Sequence, residues 1–199
     1  MPLNIGYLTS KTDKASDEVY TPAIAITPLL KYIDNFLENQ YCSPEAPPKH
    51  LLTIWCPFDE ADSNYVKIFK KEGYNVIHSH INDNKNFFYW EPQEQYDVII
   101  SNPPFSIKDD VLKHLYELDK PYAMLLPIPA LQGQKRFNYI KDCEAIIFDK
   151  RINYYKDKNM KEVQKGVSFG SFYLCRKFLN KYESIFYRKN LIFEKLENF

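Results

Sequence analysis

The sequence predicts an α/β fold built on a doubly wound, mostly parallel sheet. Short apolar runs of strand length alternate with segments whose apolar residues fall at helical spacing, the pattern of βαβ units. Turn residues (Pro57, Gly73, Pro103) punctuate the junctions between them. The chain has 199 residues, the length of one domain with enough mass to bury a core. In sheets of this kind, ligands bind outside the carboxyl ends of the strands where the winding reverses.

The elements follow in order. Residues 1–19 are polar and are read as a mobile N-terminus. Ile26, Leu29, Leu30, Ile33, Phe36 and Leu37 share one helical face, so a helix starts near Pro22 or Pro28. Leu51 to Cys56 is a buried-strand pattern, followed by a helix from about Asp62 to Glu72 that Gly73 ends. Tyr74 to Ser79 and Asp97 to Ser101 read as strands, and Lys108 to Leu118 as a helix. Tyr122 to Leu126, Ala145 to Phe148 and Ser171 to Arg176 are further strands. Phe178, Leu179, Tyr182, Ile185 and Phe186 have helical spacing, so 178–199 is read as a C-terminal helical extension with an apolar docking face.

Composition narrows the function classes. The 26 basic and 26 acidic residues cancel, so contact with a polyanion has to come from local patches. The four cysteines, Cys42, Cys56, Cys143 and Cys175, form no C-x-x-C pair. That spacing excludes a zinc knuckle or a disulfide framework and fits a reducing, cytoplasmic setting. No apolar run approaches the length of a membrane span. No Ser-His-Asp set or phosphate-cradling glycine loop is present.

The most specific segment is Asp97-Val98-Ile99-Ile100-Ser101-Asn102-Pro103-Pro104-Phe105. Two prolines lack backbone N–H groups and have fixed φ, so the strand must end at Asn102 in a stiff extended corner. Such a corner offers free carbonyls and a side-chain amide to an amino group on a planar ring, with Phe105 placed to stack on that ring. This segment resembles the signature Asn/Asp/Ser-Pro-Pro-aromatic of amino-group methyltransferases that act on adenine N6 and use S-adenosylmethionine (AdoMet). The resemblance implies a class I, Rossmann-like sheet of seven strands with an antiparallel C-terminal strand. It also implies catalytic roles for Asn102, Pro103, Pro104 and Phe105.

Two upstream segments match the same family in order. Pro57-Phe58-Asp59 and the closing Ser63 resemble its cofactor turn after the first strand, in the Pro-Phe-Asp variant of small phage and prophage N6-adenine DNA methyltransferases. Asp59, Glu60 and Asp62 stand where the family has glycines, so their side chains must point away from a bound cofactor. The same acids suit a cationic cofactor and equally suit the positive end of a helix N-terminus. Tyr20-Thr21-Pro22 resembles the element that holds the methionine carboxylate. Asn86-Phe87 stands where an acid and an aromatic hold the cofactor adenine, and Asn86 retains an acceptor oxygen. Phe87 and Phe88 read more readily as core, and Asp83 is the nearest acid for the ribose hydroxyls.

Two further features carry alternative readings. His78 and His80 share a strand face, but no third ligand is apparent and no metal is expected. The basic stretch from Arg151 to Lys165 interleaves Tyr154 and Tyr155, which suits either a phosphate backbone with a displaced base or a solvated hairpin loop. The expected activity is methyl transfer to adenine N6 in nucleic acid, DNA ahead of RNA. The rival reading is a silent relative that binds nucleic acid or protein.

Overall fold

The computed structural model describes residues 19–41, 45–157, 159–164, 169–179 and 191–196. The N-terminal reading over 1–18 and most of that over 178–199 therefore lie outside the described residues. Within them the chain runs α1 (Ala23–Ile26), a 3-10 turn (Thr27–Leu29), α2 (Leu30–Tyr41), β1 (Thr53–Cys56), α3 (Asn64–Lys71) and β2 (Asn75–His78). It continues through β3 (Val98–Ser101), α4 (Lys108–Leu118), β4 (Tyr122–Pro127), α5 (Phe137–Ile140), β5 (Glu144–Phe148), β6 (Ser171–Arg176) and β7 (Leu191–Glu194).

The seven strands form one sheet in the order β2-β1-β3-β4-β6-β5-β7. β1 pairs in parallel with β2 on one side and β3 on the other, so the winding reverses between β1 and β3. β3 and β4 are parallel, β6 runs antiparallel to both β4 and β5, and β7 is parallel to β5. The expected antiparallel strand is thus β6, and a further parallel strand follows it.

That last strand corrects the helical reading over 191–194, while Tyr182, Ile185 and Phe186 lie outside the described residues. Leu191, Ile192 and Phe193 register against Ala145, Ile146 and Ile147 and cover the edge of β5. A β-branched and aromatic run beside an open strand edge gains a full hydrogen-bond ladder by extending. Phe178 and Leu179 are buried against the sheet without helical backbone.

Strand alternation sorts the core into two layers, which makes the fold doubly wound. Ile54, Cys56, Val98, Ile100, Ala123 and Leu125 face α1, α2 and α3, where Ile26, Ile33, Leu37, Val66 and Phe69 meet them. Trp55, Ile99, Tyr122, Met124 and Leu126 face the other way, onto Val111, Leu112 and Leu115 of α4 and Ile140 of α5. The two layers leave β1, β3 and β4 buried on both faces, as central parallel strands require.

Local chemistry sets the boundaries. Ser63 caps α3 by accepting from the Val66 N–H at 3.3 Å, which starts that helix at Asn64 and not at Asp62. β1 begins at Thr53 because Lys49–Leu51 winds as a 3-10 turn after Pro48. Asp97 then clamps the start of β1, its carboxylate accepting from the Thr53 N–H at 2.7 Å. Among the described residues, no helix is long and apolar enough to cross a membrane.

Gly73 ends α3 at φ 97°, a left-handed conformation that a side chain disfavours. A Cβ there would meet Lys49 Cβ at an ordinary 3.8 Å, so backbone strain alone would be felt. Gly73→Ala is expected to cost about 1–2 kcal/mol. Urea unfolding would show it as a lower midpoint with an unchanged m-value.

Candidate functional site

The reversal between β1 and β3 places two strand ends side by side. Trp55 registers with Ile99, so the turn after Cys56 lies next to the corner after Ser101. Pro57 and Asp59 are buried there and Phe58 is half-buried. On the corner, Pro103 is buried while Asn102, Pro104 and Phe105 are half-buried.

Asp59 links the two. Its Oδ2 accepts a short hydrogen bond from Ser101 Oγ, and its carboxyl also bonds the Ser63 side chain. Its backbone N–H donates to the Ser79 carbonyl at 3.2 Å. Burial raises the carboxyl pKa to about 6, against the two serine hydrogen bonds that lower it. Asp59 therefore turns inward, toward Ser101 and Ser63. Glu60 turns sideways and accepts from Asn82 Nδ2 at 2.9 Å, and Asp62 is exposed.

A second network joins the other sequence-predicted pieces. Asn102 Nδ2 donates to Thr21 Oγ1 at 3.0 Å, across a separation of 81 residues. Asn64, the first residue of α3, donates from Nδ2 to the Thr21 carbonyl at 2.8 Å. Asn102 Oδ1 is buried and has no hydrogen-bond partner. Tyr20 is held by paired backbone hydrogen bonds with Tyr155, at 2.8 and 3.1 Å. Pro22 is buried and precedes α1 as its N-cap.

Aromatic rings line the corner. Phe105 meets Tyr154 and Phe169 edge-on, at centroid separations of 6.1 and 5.4 Å and interplanar angles of 79° and 73°. Tyr154 is fully buried and donates to Ser171 Oγ at 2.7 Å, so it is a wall of the site and not a free stacking platform. The basic stretch folds as a hairpin loop, with Lys156 N–H bonding the Glu162 carbonyl and the Asp157 carboxylate capping three backbone N–H groups. Lys158 and Lys165 lie outside the described residues.

Asn86 and Phe87 take structural positions. Asn86 Oδ1 accepts from the Phe88 N–H at 2.9 Å, closing a local turn. Phe87 is buried between Trp55, Phe58 and His114, so it supports Phe58 from below. Asp83 is exposed in a 3-10 turn. His80 Nδ1 accepts from the Asn82 N–H at 3.2 Å, and burial lowers the pKa of His78. Among the described residues, no three His, Cys, Asp or Glu side chains gather as a metal-ion ligand set.

Three contributors escape a reading of the sequence. Asn64 and Phe169 belong to no motif and are recruited by tertiary contact. Arg136 is the third: its Nε donates to Asp109 at 2.6 Å, and its Nη1 reaches the carbonyls of Pro129, Ala130 and Gln132. That fork ties the loop after β4 to the first turn of α4 and holds the Asp109 carboxyl below the usual carboxylate range.

Comparison with protein-family models and with curated proteins returns no match. Among solved structures, the chain is similar to the 23S rRNA methyltransferase ErmE at 12% identity, covering 74% of this chain and 68% of that one, with a TM-score of 0.31. It is also similar to a Listeria monocytogenes protein assigned to the class I S-adenosylmethionine-dependent methyltransferases, at 11% identity, 96% and 69% coverage and a TM-score of 0.42. A type I restriction-modification methyltransferase subunit from Streptococcus thermophilus matches at 14% identity and a TM-score of 0.39, and the chain spans 50% of its length. At such identities and scores, the Rossmann-like assignment rests on the strand order itself.

The Asp59 carboxyl gives a pH signature. It binds its proton more tightly folded than unfolded, so its contribution to stability is complete below about pH 4 and is lost as pH rises through about 6. Two pKa units correspond to roughly 3 kcal/mol. Chemical denaturation of Asp59→Asn between about pH 3 and 7 is expected to lack that decline.

Proposed function

We propose that this chain transfers the methyl group of AdoMet to the N6 amine of adenine in DNA. The observation that carries the reading is Asn102 Oδ1, an acceptor buried at a strand-end corner with nothing bonded to it. An unsatisfied buried acceptor costs about 1–3 kcal/mol, and an incoming N–H donor would relieve that cost. The Asn-Pro-Pro-Phe motif supports adenine N6 as the donor, and the Pro57-Phe58-Asp59 turn supports DNA as the polymer.

AdoMet supplies an electrophilic methyl group on a sulfonium. The residues that would hold it are Pro57, Phe58, Asp59 and Ser63 on the turn after β1, with Tyr20, Thr21 and Pro22 at the methionine end. Asn86 and Phe87 would border the adenine end, with Phe87 acting through Phe58. The residues present fit the group: the acids that replace glycines are turned inward, sideways or to solvent, away from the backbone that a ligand must approach.

The protein's task is alignment. The N6 lone pair is delocalised into the purine ring, so the amine must be drawn toward tetrahedral geometry. Asn102 Oδ1 and the Pro103 carbonyl each accept one N6–H and stabilise the positive charge that develops on nitrogen. Phe105 contacts a base swung out of its helix, worth on the order of 1–3 kcal/mol. Holding both reactants in line contributes roughly 7–11 kcal/mol to the rate. Pro103 and Pro104 keep the corner from relaxing when it is empty.

The test is transfer of a tritiated methyl group to unmethylated DNA and to tRNA, with AdoMet affinity measured by calorimetry. Label on DNA adenine N6 is the expected result. Label on tRNA alone would move the substrate to RNA, and no AdoMet binding would leave a silent binding protein. Asn102→Ala is expected to lower transfer by at least about a hundredfold, with AdoMet affinity within about threefold of the parent. Equal loss of both would contradict the role given to Asn102.

A further inference from the structure

We infer that the loop after β4 is a contact for duplex DNA, in which Ile128 and Leu131 fill the gap that an extruded base leaves in the stack. The inference rests on the reading of the corner as a site for a base swung out of DNA, and it deepens that reading. The loop has its polarity reversed. Arg136 lies inside it, with 11% of its side chain exposed, and its Nη1 reaches the carbonyls of Pro129, Ala130 and Gln132. Gly133 makes room for the guanidinium, since a Cβ there would stand 3.0 Å from Arg136 Cζ. Ile128 and Leu131 are instead exposed, by 42% and 39%. They are three apart in one 3-10 turn (Ile128–Leu131), where residues at that spacing project from the same side. A loop closed around a cation thus displays an aliphatic pair outward, placed for contact with another molecule.

The pair stands beside the corner and is fastened to it. Met124 of β4 registers with Ser101 of β3, so the strand ends that lead to Ile128 and to Asn102 are neighbours. The Ile128 N–H donates to the Gly170 carbonyl at 2.8 Å, and a Cβ on Gly170 would collide with Ile128 Cδ1 at 2.7 Å. Phe169, the preceding residue, packs against Phe105 of the corner. From the other end of the loop, Arg136 Nε donates to Asp109 at 2.6 Å. Asp109 is in the first turn of α4, which follows the corner through one 3-10 turn. The aliphatic pair and the corner therefore share one mount.

Chemistry selects the partner. Residues 128–141 hold Lys135, Arg136 and Lys141 and no acidic residue, and Lys135 and Lys141 are exposed. That charge suits a phosphate backbone. Aliphatic side chains have no π-face, so they are poor platforms for the unstacked bases of a single strand. They do fill volume between base pairs, as the apolar wedges of duplex-bending proteins do. A duplex with one base extruded supplies both the phosphates and the gap.

The test measures binding of the full chain to three labelled DNAs of one sequence by fluorescence anisotropy: an intact duplex, the same duplex with one abasic site, and the single strand. The abasic duplex already holds the gap, so the parent is expected to bind it about tenfold or more tightly than the intact duplex. The double variant Ile128→Ser, Leu131→Ser is expected to bind the two duplexes within about twofold of each other. Its single-strand affinity and thermal midpoint should match the parent's, and Leu131→Ser alone decides the matter if the double variant melts early. Lys135→Ala is expected to weaken all three DNAs alike and to reduce the salt slope by about one. A parent without abasic preference would overturn the inference, as would a preference that survives in the serine variants. A parent dimer that those variants convert to monomer, with DNA binding unchanged, would assign the surface to a second copy and overturn it too. None of these measurements needs methyl transfer. Abasic preference without transfer would sink the proposed function and leave the wedge standing, and transfer without the preference would do the reverse.

Discussion

The meeting of β1 and β3 at the centre of the sheet depends on a carboxyl group enclosed between them. β2 lies on one side of β1 and β3 on the other, so the chain segments that leave β1 and β3 diverge above the sheet. Asp59 spans that divergence through Ser101 on one arm and Ser63 on the other. Ser101 immediately precedes Asn102, and Ser63 caps the helix that begins with Asn64. The carboxyl accepts from both serine hydroxyls at once, which an apolar side chain of that size cannot do. The corner and the turn are consequently tied to each other through Asp59.

Those contacts also account for the absence of glycine in the turn. A glycine turn admits a ligand by having no side chains. This turn instead keeps its side chains occupied, with Asp59 bonded inward and Glu60 bonded to Asn82. In the proposed site, bulk is thereby directed away from the backbone that a ligand would approach. A buried carboxyl also suits the neighbourhood electrostatically: the sulfonium of a methyl donor would favour its ionised form, opposing the desolvation that raises its pKa.

How much of this was legible in the sequence depends on the range of the interaction. α4 and β6 have the expected bounds because their signals are local: an apolar helical face in one, a continuous buried run in the other. Ser63 shortens α3 because capping is a property of one side chain that periodicity does not register. β7 was obscured because the spacing from Phe178 to Phe186 suggests a helix, while a four-residue strand shows itself only against the edge it joins. In the site, the corner was readable from two prolines, whose constraint is intrinsic to the residue. The Thr21–Asn102 bond was not, since nothing at either position signals a partner 81 residues away. Asn86 shows the opposite case, where a residue in a suggestive place spends its oxygen on its own turn.

The energetic character of the sheet separates along the same line. Away from the strand ends, both faces of β1, β3 and β4 are closed by aliphatic and aromatic side chains, where burial is uniformly favourable. At the strand ends, a carboxyl is desolvated and an amide oxygen is left unbonded, each opposing folding by an amount comparable to one good core contact. Both unfavourable groups sit within one turn of the point where β1 and β3 part. An ordinary core would replace them with apolar residues or supply the missing donor from the chain itself. Here Asn102 Nδ2 donates to Thr21 and Oδ1 is left without a partner, and in the proposed function that is the bond a bound amine would make.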